Sequence, residues 1–219
     1  MESFNTWQER QDAWLAQDLA LLHDAPGFRP MVTRADLQLG RRSMPDDPNH
    51  LFRWRLPLVG APADVVFAGF VTQVLDHHKQ WTREFAGGHV VEQLSPTARI
   101  LYQHFDPGIP GIAKRDLCSI EITRDLAPGV KLASFRSIDR LPPAPGFARI
   151  DWWGAALCTT NEGGRTSELI YLDRENQGGR LPAWFVNLTM RGYLVTQAEQ
   201  VQRFFADGGP AAVQQGLQG

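Results

Sequence analysis

The sequence predicts an α+β fold, an antiparallel sheet carrying one long C-terminal helix, and three observations predict it. Six strand-like segments follow one another between Val90 and Asp173 with turn signals between them and none of the helical crossovers that parallel strands need. After the last of them, an uninterrupted helical stretch runs from about Pro182 to Phe205. No internal repeat, low-complexity tract or linker divides the 219 residues, so one domain over 1–207 is expected (core 31–206), with 208–219 as a flexible tail.

Phe4, Trp7, Trp14, Leu15, Leu19 and Leu22 recur at helical spacing among charges, so residues 3–23 read as an amphipathic helix, which Pro26-Gly27 ends. Residues 31–60 read as strand with loops. Within them Met44-Pro45-Asp46-Asp47-Pro48-Asn49 is a turn cluster, and Leu51–Leu58 alternates as a strand does. Ala61-Pro62-Ala63-Asp64 opens a helix to about Leu75, and a short helical piece, Asp76–Phe85, carries Trp81. The six strands are Val90–Leu94, Ala98–Phe105, Asp116–Thr123, Val130–Ile138, Phe147–Thr160 and Thr166–Asp173. Gly178-Gly179 then lets the chain turn, and Pro182 suits a first helical position.

On the terminal helix, at about 100° per residue, Leu181, Trp184, Phe185, Leu188, Gly192 and Val195 share one face. Met190, Leu194, Ala198, Val201 and Phe205 lie nearly opposite, so the apolar stripe changes sides. A helix with a single partner keeps a single stripe. The first half is therefore expected to cover something concave and the second to pack elsewhere; an ordinary terminal helix with a broad apolar face fits the same residues.

Composition narrows the function classes. A net charge of −2 with both signs mixed provides no basic field for nucleic acid. Two cysteines forty residues apart make no disulfide framework, and Cys118 and Cys158 on apolar strands read as small core residues. The first residues have neither a basic nor an apolar signal region, and no apolar run nears the ~18–20 residues that span a bilayer. A cytoplasmic location is expected. Seven tryptophans and twelve phenylalanines suit either a core or an apolar ligand. There is no Gly-x-Ser-x-Gly elbow, phosphate loop or His-Glu-x-x-His, and no cofactor or metal is expected. His77-His78 diverge on a helix and read as surface histidines.

Several short motifs in order carry a resemblance. They are Trp81 in His78-Lys79-Gln80-Trp81, Ile100-Leu101-Tyr102, Lys114-Arg115-Asp116-Leu117, Phe135-Arg136-Ser137-Ile138, Pro145-Gly146-Phe147-Ala148-Arg149 and Gly178-Gly179-Arg180-Leu181-Pro182-Ala183-Trp184-Phe185-Val186-Asn187. Across residues 60–205 the chain resembles a START domain, the lipid-transfer domain related to steroidogenic acute regulatory protein, of the single-domain bacterial type. The resemblance implies a helix-grip fold: a curved antiparallel sheet around the long C-terminal helix, with a hydrophobic tunnel between them. It makes Phe185, Leu188, Gly192 and Val195 the tunnel roof. Gly192 costs about 1 kcal/mol relative to Ala in mid-helix, which a close approach there justifies; a merely tolerated glycine is the alternative.

Site candidates follow from strand parity read with that family. Arg115 and Asp116 point to opposite sides of a strand and are expected as anchors. Ser119 and Glu121 share a face, and in animal members the slot at Glu121 often holds a tunnel-facing arginine paired with an acid on the preceding strand. With the charge reversed here, a partner for Glu121 is sought in Tyr102, Gln103 or His104, and sterol recognition by the animal pattern comes into doubt. A solvated outward Glu121 is the alternative, because a one-residue slip exchanges the faces. By family register Trp152 looks inward with Ile150, Gly154 and Ala156, and Trp153 outward; two rings that simply fill core are the alternative. Leu169 and Tyr171 form a second wall. The hairpin tip at Asp125-Leu126-Ala127-Pro128-Gly129 is expected as a gate loop beside the helix N-terminus, with Leu126 and Pro128 able to touch a membrane surface; a plain turn is the alternative.

The leading reading is a non-catalytic binder or carrier of a hydrophobic small molecule, a lipid or isoprenoid-like compound. Partners are that ligand and, transiently, a membrane surface, not nucleic acid. The alternative is an enzyme of the wider helix-grip superfamily, such as a polyketide cyclase, with Glu121, His104, Tyr102 and Tyr171 as acid–base groups.

Overall fold

The computed structural model describes residues 4–161 and 163–218. The chain runs α1 (Phe4–His23), β1 (Arg29–Thr33), β2 (Gln38–Met44), β3 (Asp47–Val59), α2 (Ala63–Phe67), a π-helical turn (Ala68–Thr72), α3 (Val74–His77), β4 (Phe85–Ser95), β5 (Ala98–Phe105), β6 (Lys114–Ala127), β7 (Val130–Ser137), β8 (Phe147–Arg149), β9 (Asp151–Thr160), β10 (Thr166–Asn176), α4 (Ala183–Ala206) and α5 (Gly209–Gln218). Ser3 and the Phe4 side chain, which the expected first helix includes, lie outside the described residues, as does Gly219.

The strands form one sheet in the order β1-β2-β3-β10-β9-β7-β6-β5-β4, antiparallel throughout, and β8 pairs parallel with β6 off this path. The expected strand Phe147–Thr160 is thus two pieces that break at Ile150, whose N–H turns to the carbonyl of Asp116 at 2.8 Å. Helices cover both faces, so apolar side chains occupy both parities. On one face Leu15 and Leu22 of α1 pack with Ile120, Ile122, Leu157 and Leu172. On the other, α2 and α4 pack on Trp54, Leu56, Ala156 and Leu169.

One buried carboxylate pins α1 to its face. Asp18, fully buried, accepts from Ser134 Oγ at 2.6 Å, Arg136 Nη1 and Nη2 at 3.0 and 2.7 Å, and Trp153 Nε1 at 2.9 Å. The Arg136 guanidinium also lies over the Trp14 and Trp153 rings, at 5.7 and 4.9 Å from their centroids. Every oxygen of Asp18 is occupied, which is what a buried charge needs in order not to destabilise.

Two expectations are corrected at the C-terminus. The apolar stripe of α4 does not change sides: Val186, Met190, Leu194, Ala198, Val201 and Phe205 are buried in one row along the whole helix. Steps of four residues drift by about 40° each, and the three-residue step from Ala198 to Val201 corrects that drift. Val186 is the residue that continues the row to the N-terminal end, and it replaces Leu188. Residues 208–218 are not the flexible tail expected. Gly208, with φ of +92°, reverses the chain into α5, whose Val213 is fully buried against Val65 and Ala68.

Candidate functional site

Between the sheet and α4 lies a cavity of about 390 Å³, inside the range of roughly 300–1,000 Å³ in which small-molecule sites fall. Its roof is a row of residues at four-residue spacing, Phe185, Thr189, Tyr193 and Gln197, flanked by Val186 and Met190. The floor comes from alternate positions on the strands: Arg115, Leu117 and Glu121 on β6, Phe135 on β7, Trp152 on β9, and Tyr171, Asp173 and Glu175 on β10. Phe70, His78 and Trp81 wall it beside the broken helix α2–α3. That break is a π-type turn in which the Gln73 N–H reaches back to Ala68 O at 2.7 Å. Ile109 and Phe185, 59% and 41% exposed, line the cavity where it opens to solvent.

Of the residues expected to face a tunnel, Glu121, Ile150, Trp152, Tyr171 and Phe185 line this cavity. Trp152 stacks on Phe135 with ring centroids 5.0 Å apart. A Cβ on Gly154 would stand 2.9 Å from the Trp152 ring, so the space Gly154 leaves is taken by that indole. Ser119, Ala156 and Leu169 share these faces but are sealed in packed core, with the Ser119 hydroxyl unpaired among the described residues.

Others lie elsewhere. Tyr102 and His104 sit on the opposite face of β5, because Leu101, Gln103 and Phe105 are the alternating set that faces the cavity. The Tyr102 hydroxyl donates instead to Asp116, 3.2 Å away. Leu188 is 71% exposed, and Gly192 is exposed with nothing within 4 Å of where a Cβ would stand, so no close approach explains that glycine. The tip with Leu126 and Pro128 is at the far end of β6 from the α4 N-terminus. It is tied near α2 by Lys131, which bridges Asp64 and Asp125 at 3.2 and 2.8 Å. The connection beside the α4 N-terminal half is the one between β5 and β6, with Pro107 and Ile109.

The partner of Glu121 is Arg99, directly across the β5–β6 ladder. Arg99 Nε and Nη2 donate to the two carboxylate oxygens at 2.9 and 3.1 Å, and Nη2 also reaches Val71 O at 3.0 Å. An Arg–acid pair thus spans these two strands, with the acid on β6 and the arginine on β5. Burial raises the Glu121 carboxyl above its ordinary value, and Arg99 opposes that rise. Asp116 is an anchor as expected: it accepts from Arg149 at 3.0 and 3.1 Å and from the Ala144 N–H at 2.8 Å. Arg115 does line the cavity; its Nη1 donates to Ala113 O and its Nε is unpaired.

Several lining residues were not anticipated. His78 is no surface residue: it faces the cavity, its Nδ1 pairs with Gln103 Nε2 at 3.0 Å, and burial pushes its pKa down to about 3. Asp173 and Glu175 bring two carboxylates onto the wall. Trp152 Nε1 donates to Asp173 Oδ1 at 2.8 Å, and the Gln177 amide donates to Glu175. Burial pushes Asp173 up to about 7 and Glu175 well above the usual carboxylate range, with repulsion between the two adding to the rise at Glu175. Both continue the alternation of Leu169 and Tyr171 by two further steps, a signal present in the sequence.

Comparison with known proteins places this architecture. A START domain family model matches residues 57–206. No curated protein matches the sequence. Human StAR-related lipid transfer protein 5 superposes with a TM-score of 0.77 at 15% identity, covering 91% of this chain and 96% of that one. Human STARD10 gives 0.75 at 15%, covering 90% and 82%. A STAR-related lipid transfer protein fragment from Xanthomonas axonopodis gives 0.71 at 18%, covering 83% and 99%. At such identities the superpositions speak for the fold, and they agree with the helix-grip arrangement of sheet, C-terminal helix and cavity described above. With a family model spanning most of its length, the chain belongs to the START domain family.

Proposed function

We propose that the protein binds a hydrophobic small molecule, lipid or isoprenoid-like, between the sheet and α4, and carries or senses it, with the cytoplasm as its place of work. The cavity is the observation that supports this most. Protein interiors pack as densely as organic crystals, so about 390 Å³ left unfilled under an intact helix forgoes stabilising contacts unless a guest supplies them. Burying the guest gains about 25 cal/mol per Å² of apolar surface.

Loading and release are assigned to the mouth between Ile109 and Phe185. Trp184 and Leu188, 68% and 71% exposed, stand on the same end of α4 and set an apolar surface beside that opening, which supports brief contact with a membrane. Leu126 and Pro128 have no part in this, being tied down near α2. Carriage has more support than chemistry: two of the four acid–base candidates, Tyr102 and His104, face away, and Arg99 holds both oxygens of Glu121.

Displacement titration with a fluorescent neutral lipid tests the reading. Saturable binding to the full chain is expected, with loss of about tenfold or more in affinity when Leu117→Trp places an indole in the cavity. Binding that Leu117→Trp leaves unchanged, in a variant with parental circular dichroism, contradicts it.

A further inference from the structure

Resting on the carrier reading, we infer that the guest is an amphiphile with an ammonium head, received by Asp173 and Glu175 beneath Tyr193 of α4. Asp173 is 2% exposed yet lines the cavity, and its one hydrogen bond among the described residues is to Oδ1, which leaves Oδ2 without a donor. Glu175 likewise has one donor, Gln177, for its two oxygens. One helical turn beyond Tyr193, the Gln197 Oε1 is a buried acceptor with no donor among the described residues, while its Nε2 donates to Thr82 Oγ1 at 3.1 Å. The shared need of these groups is for donors. An ammonium has three and no acceptor.

The titratable and charged groups facing the pair from the surrounding elements favour the same sign. They are Tyr171 on β10 itself, Tyr193 on α4, Glu84 before β4, His78 after α3, and Arg115 and Glu121 on β6. His78 is neutral, Glu121 is neutralised by Arg99, and Glu84 adds another acid. Arg115 is the remaining cation among the described residues of the lining, and its Nη1 is held to Ala113 O just before β6. A carboxylate or phosphate head would meet three acids against one arginine, and a hydroxyl would offer a single donor. Burial raises both carboxyls and their repulsion adds to the rise at Glu175, so the pair favours holding a proton, whose place an arriving ammonium takes.

Dodecylamine, dodecanol and dodecanoate, each below its micelle concentration, are compared as displacers of the fluorescent neutral lipid at about pH 6 and 8. With a group titrating near 7, dodecylamine affinity is expected to rise about tenfold over that interval while dodecanol stays constant and dodecanoate binds weakest. Asp173→Asn with Glu175→Gln is expected to erase the amine's advantage and its pH dependence but keep dodecanol binding, which shows the cavity intact. Equal affinity of amine and alcohol at both pH values, tightest binding by dodecanoate, or an amine preference that survives the double substitution overturns the ammonium assignment and leaves carriage standing. If none of the three, nor the lipid probe, binds at all, both readings fall.

Discussion

Asp18 and Asp173 are buried carboxylates on opposite faces of one sheet, 0% and 2% exposed, and they are treated in opposite ways. Asp18 receives hydrogen bonds from Ser134, Arg136 and Trp153, and the charge of Arg136 neutralises it. Among the described residues Asp173 receives a single hydrogen bond, from an indole, forms no ion pair, and shares its surroundings with a second acid. A saturated carboxylate serves the fold by fastening α1. A carboxylate left short of donors beside a void weakens the empty protein and gives selectivity toward whatever enters. The α1 face is thus built to be finished by the chain, and the α4 face to be finished by a guest.

The comparison breaks first, if at all, at Asp18. Asp18→Ala strands the Arg136 guanidinium in the interior, and a loss of about 3–5 kcal/mol in urea denaturation is expected; a loss below about 1 kcal/mol would mean that the clamp is ornamental. Asp173 behaves in the reverse sense. In the unfolded chain its carboxyl ionises near the ordinary value of about 4, whereas the folded protein keeps the proton to about 7. The folded state therefore binds more protons across that window, and stability falls as pH rises through it. Asp173→Asn should flatten part of that decline, so the variant is more stable than the parent above about pH 7 and matches it below about pH 4; parallel pH profiles would deny that Asp173 is strained. The smallest effect belongs to Gly192, exposed and free of neighbours. Gly192→Ala should raise stability by up to about 1 kcal/mol without changing lipid affinity, because that residue plays no part in the roof.

How far the sequence revealed this depends on which physical rule was in force. Element order and the antiparallel sheet were readable because turn signals and missing crossovers are local facts. Strand parity grouped Ser119 with Glu121 and Leu169 with Tyr171, the family resemblance offered the inward face while an outward Glu121 stayed open, and the same alternation followed two steps past Tyr171 reaches Asp173 and Glu175. Parity failed on β5, where helices or core cover both faces and Ile100 and Leu101 are equally apolar, so hydrophobic pattern could not choose between the two sets of alternate residues. Arg99 was missed as the partner of Glu121 because cross-strand partners depend on ladder register, which the β5–β6 connection sets and composition does not. Leu188 in place of Val186 reflects a helical wheel read from residue type alone. Exposure of Trp184 and Leu188 shows that apolar residues on a helix end also serve its outer side. The α5 helix escaped because Gly208-Gly209-Pro210 reads as a stop, when Gly208 supplies a reversal that lets Val213 find a pocket on α2.

Native mass spectrometry of the full chain, taken straight from its host without detergent, is the most direct examination of the claim that the α4 face awaits a guest. The account predicts a population heavier than the sequence mass by one small hydrophobic molecule, released on mild activation and missing from Leu117→Trp. A spectrum at the bare sequence mass, in protein that also fails to take up added lipid, would contradict it.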